Sequence, residues 1–196
     1  EALVKREQLV RDGYCIIPDV LDESMLERWI AYSDGVLDAT PHNPGTKYQG
    51  SDFHINSRRR YMRGDMHRPD LALWSPLVDE LVDLLVADDA CRALGIEGKR
   101  SDDTVLILSK PAQGPALYWH QDFMEWAHPK ASLPWPTRIF LSYYLVDTTV
   151  ENGCLCAIPG THRKRIALHD ILPPAHGSEI QAMDTSHPVF ADHPDA

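Results

Sequence analysis

Nowhere does this sequence run apolar for the ~20 residues that a membrane-spanning helix requires. The apolar stretch Leu77–Val86 is interrupted by Asp79, Glu80 and Asp83. The first residues are charged, and no apolar leader segment follows them. No membrane role is expected, and the reading is a soluble, cytoplasmic protein. Basic residues are also in short supply: 19 Lys and Arg face 29 Asp and Glu, a formal net charge of −10. A surface of that sign disfavours nucleic acid and anionic lipid as partners. Cysteine is scarce, with only Cys15, Cys91, Cys154 and Cys156, and no C-x-x-C pair among them. Cys154 and Cys156 would share one face of a strand, but no further thiol or histidine stands at zinc-site spacing. Small core thiols in a reducing compartment are the expectation.

What is present suits an ordinary globular domain. The 196 residues are 43% hydrophobic and 24% charged, enough to bury one core. No linker or internal repeat divides them, so residues 1–196 read as a single domain. Ala2–Arg11 reads as a helix ended by Gly13, then Tyr14–Ile17 as a short strand closed by Pro18. A second helix starts at Asp22 or Ser24, where Ser24 and Glu27 fit a capping box. Its apolar face is Leu26, Trp29, Ile30 and Leu37. Thr40–Asp70 reads as a long polar loop. Ser75-Pro76 opens a third helix with the stripe Leu77, Leu81, Leu84 and Leu85, and a shorter helix ends near Gly95.

From Asp103 the period changes from helical to alternating. Strands are expected at Thr104–Ser109, Leu117–Phe123, Thr137–Asp147 and Leu155–Ile158. In the third, Ile139, Leu141, Tyr143 and Leu145 face one way and Phe140, Ser142, Tyr144 and Val146 the other. Helices first and strands later give an α+β or mainly β class.

The chemistry is concentrated in Tyr118-Trp119-His120-Gln121-Asp122. On a strand, residues i and i+2 share a face, so His120 and Asp122 can offer an imidazole and a carboxylate to one ion. That is part of a 2-His-1-carboxylate set, which leaves positions open for a chelating cosubstrate and O2. The pattern H-x-D alone is common, and such residues usually serve the surface or a hydrogen bond. Tyr118 shares the same face; its hydroxyl suits a cosubstrate, or simply a core position. Lys110, at a strand end before Pro111, suits an anionic group or solvent. Trp119, Trp126 and Trp135 suit a pocket wall or a core. Arg58, Arg59, Arg60 and Arg63 suit anion recognition or a solvated face. Gln121 points away from the metal side.

Further along comes Glu151-Asn152-Gly153-Cys154-Leu155-Cys156-Ala157-Ile158-Pro159-Gly160-Thr161-His162. Together with H-Q-D, and with Asp12-Gly13-Tyr14 before Ile16-Ile17-Pro18, this resembles the phytanoyl-CoA dioxygenase family, which includes ectoine hydroxylase. The resemblance runs from Leu9 to about His193. It implies a double-stranded β-helix, a cupin-like jelly-roll, with N-terminal helices packed outside. It also implies a non-haem Fe(II)- and 2-oxoglutarate-dependent dioxygenase using O2. Such an enzyme hydroxylates a small organic substrate and releases succinate and CO2. His120 and Asp122 are the implied metal ligands, and Tyr118 and Lys110 are candidates for cosubstrate binding. A carboxylate at position 122 favours hydroxylation over halogenation.

The same resemblance calls for a distal histidine and, beyond it, an arginine for 2-oxoglutarate. The last basic residue is Arg165, and the expectation is that both lie past Ala196, leaving the barrel incomplete at its C-terminal side. Within the chain the third-ligand candidates are His162, His169, His176, His187 and His193. His176, in Ala175-His176-Gly177-Ser178, looks most like the distal motif but lacks the arginine, and His162 is expected to be structural. The competing reading is a cupin-like metal or small-molecule binding protein without redox chemistry. No motif specifies an oligomeric state.

Overall fold

The computed structural model describes residues 2–39, 54–59, 71–73, 76–96, 104–109, 117–121, 128–133, 139–172 and 186–196. Helix α1 spans Ala2–Asp12 and α2 spans Glu23–Ala39. Strands β1, His54–Arg59, and β2, Leu71–Leu73, follow. Helices α3, Pro76–Val82, and α4, Leu85–Ala93, precede strand β3, Thr104–Ser109. Among the described residues, no helix is long and apolar enough to cross a membrane.

The helix ends follow local chemistry. Asp22, not Ser24, caps α2: its Oδ1 accepts the Met25 N–H at 2.8 Å, satisfying one of the donors that a first turn leaves without a partner. Pro76 opens α3, where its missing N–H costs nothing. Gly95, at φ +74°, ends α4: its N–H bonds Arg92 O, and the Ile96 N–H bonds Cys91 O, both at 2.9 Å. This is the paired closure that glycine allows after a last turn.

One core cluster joins Met25 and Trp29 of α2 to Val78 and Leu81 of α3, with Tyr143 and Leu145 packed against them. The buried face of α2 is thus Met25, Trp29 and Ser33, while Leu26 and Ile30 are only half-buried; the side chain of Leu37 lies outside those described. The Leu77–Leu85 stripe breaks at Asp83-Leu84, so Leu85 is exposed and Ala87 and Leu94 turn inward instead. An exposed Arg28–Glu80 pair at 2.7 Å spans α2 and α3, an addition of less than about 1 kcal/mol.

The three described strands form one sheet in the order β2-β1-β3. β1 runs antiparallel to β3, with His54 opposite Ser109, and parallel to β2. β3 has the expected bounds. β1 lies inside the segment expected to be a loop and places Arg58 and Arg59 on a strand; Arg60 and Arg63 lie outside the described residues. Tyr14–Ile17 is not a strand. Gly13 and Asp19, both at positive φ, turn the chain on either side of it, and Pro18 has no N–H to give a ladder. The described parts of the other expected strands, 117–121, 139–147 and 155–158, carry no ladder either. Alternation survives in one of them. Ile139, Tyr143 and Leu145 are half-buried, whereas Phe140, Tyr144 and Val146 are exposed; Leu141, also exposed, departs from the pattern. Burial pushes the Tyr143 hydroxyl up to about 12, helped by Cys91 and Asp88 beside it. None of the four cysteines is in a disulfide. Cys15 and Cys91 are half-buried and held above the ordinary thiol value by burial, but Cys156 is exposed.

The Asn152-Gly153 and Pro159–His162 motifs both make turns. Asn152 closes its loop by accepting the Thr149 N–H at 2.7 Å and donating to Asp147 O at 2.9 Å. The Thr161 hydroxyl donates to Ile158 O at 2.8 Å. The second turn seats on the last turn of α1. Gly160 N–H donates to Asp12 O at 2.9 Å, and His162 Nε2–H donates to Val10 O at 3.1 Å. These bonds satisfy carbonyls that a helix C-terminus leaves open. Gly13, at φ +90°, leaves the space for the ring: a Cβ there would stand 2.5 Å from His162 Nδ1.

Gly13→Ala therefore meets both a left-handed backbone and an occupied space. It is expected to lower stability by about 2 kcal/mol, read as a lower urea midpoint. His162 adds a pH dependence. Burial holds its pKa below the ordinary 6.5, so the folded state favours the neutral ring. That contribution is complete above the unfolded value and is lost as pH falls through the lower folded one. The urea midpoint should drop between about pH 7 and pH 5, and less so in His162→Gln, in a side-by-side titration.

Candidate functional site

Residues 117–121 hold the expected metal-binding segment, and it is anchored from the far end of the chain. Trp119 N–H donates to Val189 O at 2.8 Å, and its indole Nε1–H donates to Ala191 O at 2.8 Å. Its ring stands 6.3 Å from that of His193, edge-on. Trp119 thus fastens two segments together, while Trp126 and Trp135 lie outside the described residues.

Tyr118 is 1% exposed and packs with Val189, Leu172 and Phe190. It occupies a core position in this arrangement. Its ring lies 5.3 Å from that of His120, which puts the two on one side, as the i, i+2 spacing requires. His120 is half-buried, and its Nδ1 is 3.0 Å from the Tyr118 carbonyl. A carbonyl only accepts, so Nδ1 carries the proton and Nε2 keeps its lone pair, the tautomer that a metal ligand needs. Asp122, Lys110 and His176 lie outside the described residues. Among the described residues, no three His, Cys, Asp or Glu side chains come together as a metal site.

The remaining described histidine side chains are engaged otherwise. His128, His187 and His193 each precede a proline. In each case Nδ1 accepts the backbone N–H two residues on: Lys130 at 3.1 Å, Val189 at 3.2 Å and Asp195 at 3.2 Å. The proline has no N–H, so the next residue offers the first donor, and the imidazole caps it as an Asn or Asp would. His169 Nδ1 accepts the Ile166 N–H at 3.0 Å, and its Nε2 lies 3.2 Å from Gln121 Oε1. The same Nδ1 lies 3.3 Å from Ile166 O, so the Ile166 backbone engages one ring nitrogen and the Gln121 carboxamide the other. In His162 the Nδ1 is buried without a hydrogen-bond partner among the described residues. In His120 the Nδ1 partner is a carbonyl, which in the neutral ring puts the proton on that nitrogen. His162, expected to be structural, holds α1, and His169, His187 and His193 serve as caps.

Sequence reasoning missed the Gln121–His169 contact, which joins residues 48 apart, and no local pattern announces it. The His-Pro dipeptides are the local signal that His128, His187 and His193 serve as caps.

The family model described as phytanoyl-CoA dioxygenase (PhyH) matches residues 9–191. Among curated proteins, the chain is 34% identical over 172 residues to an ectoine dioxygenase of Sphingopyxis alaskensis, covering 85% of this chain and 51% of that protein. It is 33% identical over 104 residues to an ectoine dioxygenase of Bordetella parapertussis, covering 52% and 33%. A third, from Nocardia farcinica, is 36% identical over 67 residues, covering 34% and 22%. The chain spans about half or less of the length of these relatives. No solved structure matches.

The histidine assignments are directly measurable. Nitrogen-15 NMR of histidine-labelled protein should show His120 as the Nδ1–H tautomer and His128, His187 and His193 as Nε2–H. An Nε2–H tautomer at His120 in the metal-free protein would contradict the geometry.

Proposed function

This chain belongs to the phytanoyl-CoA dioxygenase family, and from that we propose that the protein is an Fe(II)- and 2-oxoglutarate-dependent dioxygenase. It hydroxylates a small organic substrate and releases succinate and CO2. The observation that carries this reading is the family match itself, because residues 9–191 take in His120, Gln121 and Asp122 along with the Asn152–His162 element. The strands belong, on the same reading, to a jelly-roll with α1 to α4 outside it.

His120 Nε2 and the Asp122 carboxylate are the residues that would hold iron. The bond from His120 Nδ1–H to the Tyr118 carbonyl supports this role, because it fixes the ring's tautomer and orientation and raises its basicity. The charge of Asp122 would offset that of the cation. When bound, iron with 2-oxoglutarate and O2 supplies the oxidising power for attack on an unactivated C–H bond. The protein's share is to position substrate and exclude water. Tyr118, packed beneath His120, closes one side of the site to solvent. Lys110, next after β3, is the cation proposed for the anionic cosubstrate. The relatives named ectoine dioxygenase make ectoine the first substrate to try.

Succinate release by the full-length protein should be measured with Fe(II), 2-oxoglutarate, and ectoine beside a panel of other small metabolites. Turnover is expected with one panel member and should fall to background in His120→Ala and in Asp122→Ala. Turnover at the wild-type rate in either variant would overturn the site. Metal binding with no succinate from any substrate would favour a cupin-like binding protein.

A further inference from the structure

The two proposed ligands flank a residue that is itself held. Gln121 sits between His120 and Asp122, and its carboxamide oxygen lies 3.2 Å from Nε2 of His169. His169 is 8% exposed and belongs to the 3-10 turn Ala167–Asp170, a few residues after the Pro159–His162 turn. Its ring cannot swing freely, because Nδ1 is fixed by the Ile166 N–H at 3.0 Å. The turn is clasped in addition by Arg165 on Asp170 at 2.7 Å.

We infer that His169 is a positioning residue for the metal ligands, acting through Gln121; this rests on the reading of His120 and Asp122 as those ligands. The argument is geometric. Two ligands at i and i+2 converge only while the residue between them keeps its backbone orientation. A rotation at Gln121 would carry imidazole and carboxylate apart. Trp119 N–H on Val189 O fixes the segment before the motif, and His169 fixes its middle. A ring serving only its own turn would need the Ile166 contact alone, whereas His169 also reaches a residue 48 positions earlier. His169 is not a ligand in this arrangement, because the Ile166 backbone engages one ring nitrogen and the Gln121 carboxamide engages the other.

The test uses Co(II) as a spectroscopic stand-in for Fe(II), titrated into the full-length protein. Wild type is compared with His169→Phe, Gln121→Leu, the double variant and His120→Ala, and urea midpoints are measured alongside. Each single variant should bind Co(II) about tenfold more weakly, with altered visible absorption of the bound ion. The double variant should be no weaker than either single one, because the pair acts as a unit. His120→Ala should abolish binding. Wild-type affinity and spectrum in both single variants, with His120→Ala inactive, would remove the positioning role and leave the ligand assignment standing. A loss in His169→Phe as complete as in His120→Ala would make His169 a ligand and overturn the inference. Co(II) binding that survives His120→Ala would refute the ligand reading, and the inference with it. If His169→Phe does not fold, Gln121→Leu carries the same comparison with the histidine intact.

Discussion

The open carbonyls at the end of α1 set the arrangement of much else. A helix C-terminus must find donors for its last C=O groups, from water or from protein. Here Gly160 and His162 supply them. The solution needs a glycine at position 13 to admit the ring and a glycine at 160, at φ +78°, to turn the backbone. Once that turn is seated, the chain that follows leads into the 3-10 turn bearing His169, which reaches Gln121. One end-of-helix requirement is thereby linked, through a short run of covalent structure, to the segment that carries the chemistry.

Among the described residues histidine is used in three ways, and the hydrogen-bond partner decides which. Where the partner is a backbone N–H, the ring is a cap. Where Nε2–H meets a carbonyl, as in His162, the ring is a clamp on a helix end. Where Nδ1–H meets a carbonyl, as in His120, the opposite nitrogen keeps its lone pair. Residue type alone cannot separate these, because the imidazole is the same in each case; the neighbouring atoms are what differ.

That is also why the sequence was legible in part. Helix limits were readable from Gly13, Pro76 and Gly95, because a positive φ and a missing N–H are local properties of those residues. The choice between Asp22 and Ser24 as cap was not, since either side chain can do it and packing of Met25 and Trp29 decides the register. β1 was hidden because His-Ile-Asn-Ser-Arg-Arg has no apolar alternation; its strand exists through pairing with β3. His120 could be singled out by its spacing from Asp122. What holds it could not, because Val189, Ala191 and His169 are remote in sequence, and remote pairing leaves no periodic trace.

The clamp on α1 also bears on the order in which the molecule assembles. His162 and Val10 are 152 residues apart, and bringing such distant points together costs about 4 kcal/mol of chain entropy before any contact repays it. Contacts of that span form late in folding. α1 is thus among the last elements to dock and, by the same reasoning, among the first to come away, so its amide hydrogens should exchange with solvent ahead of those buried between α2 and α3.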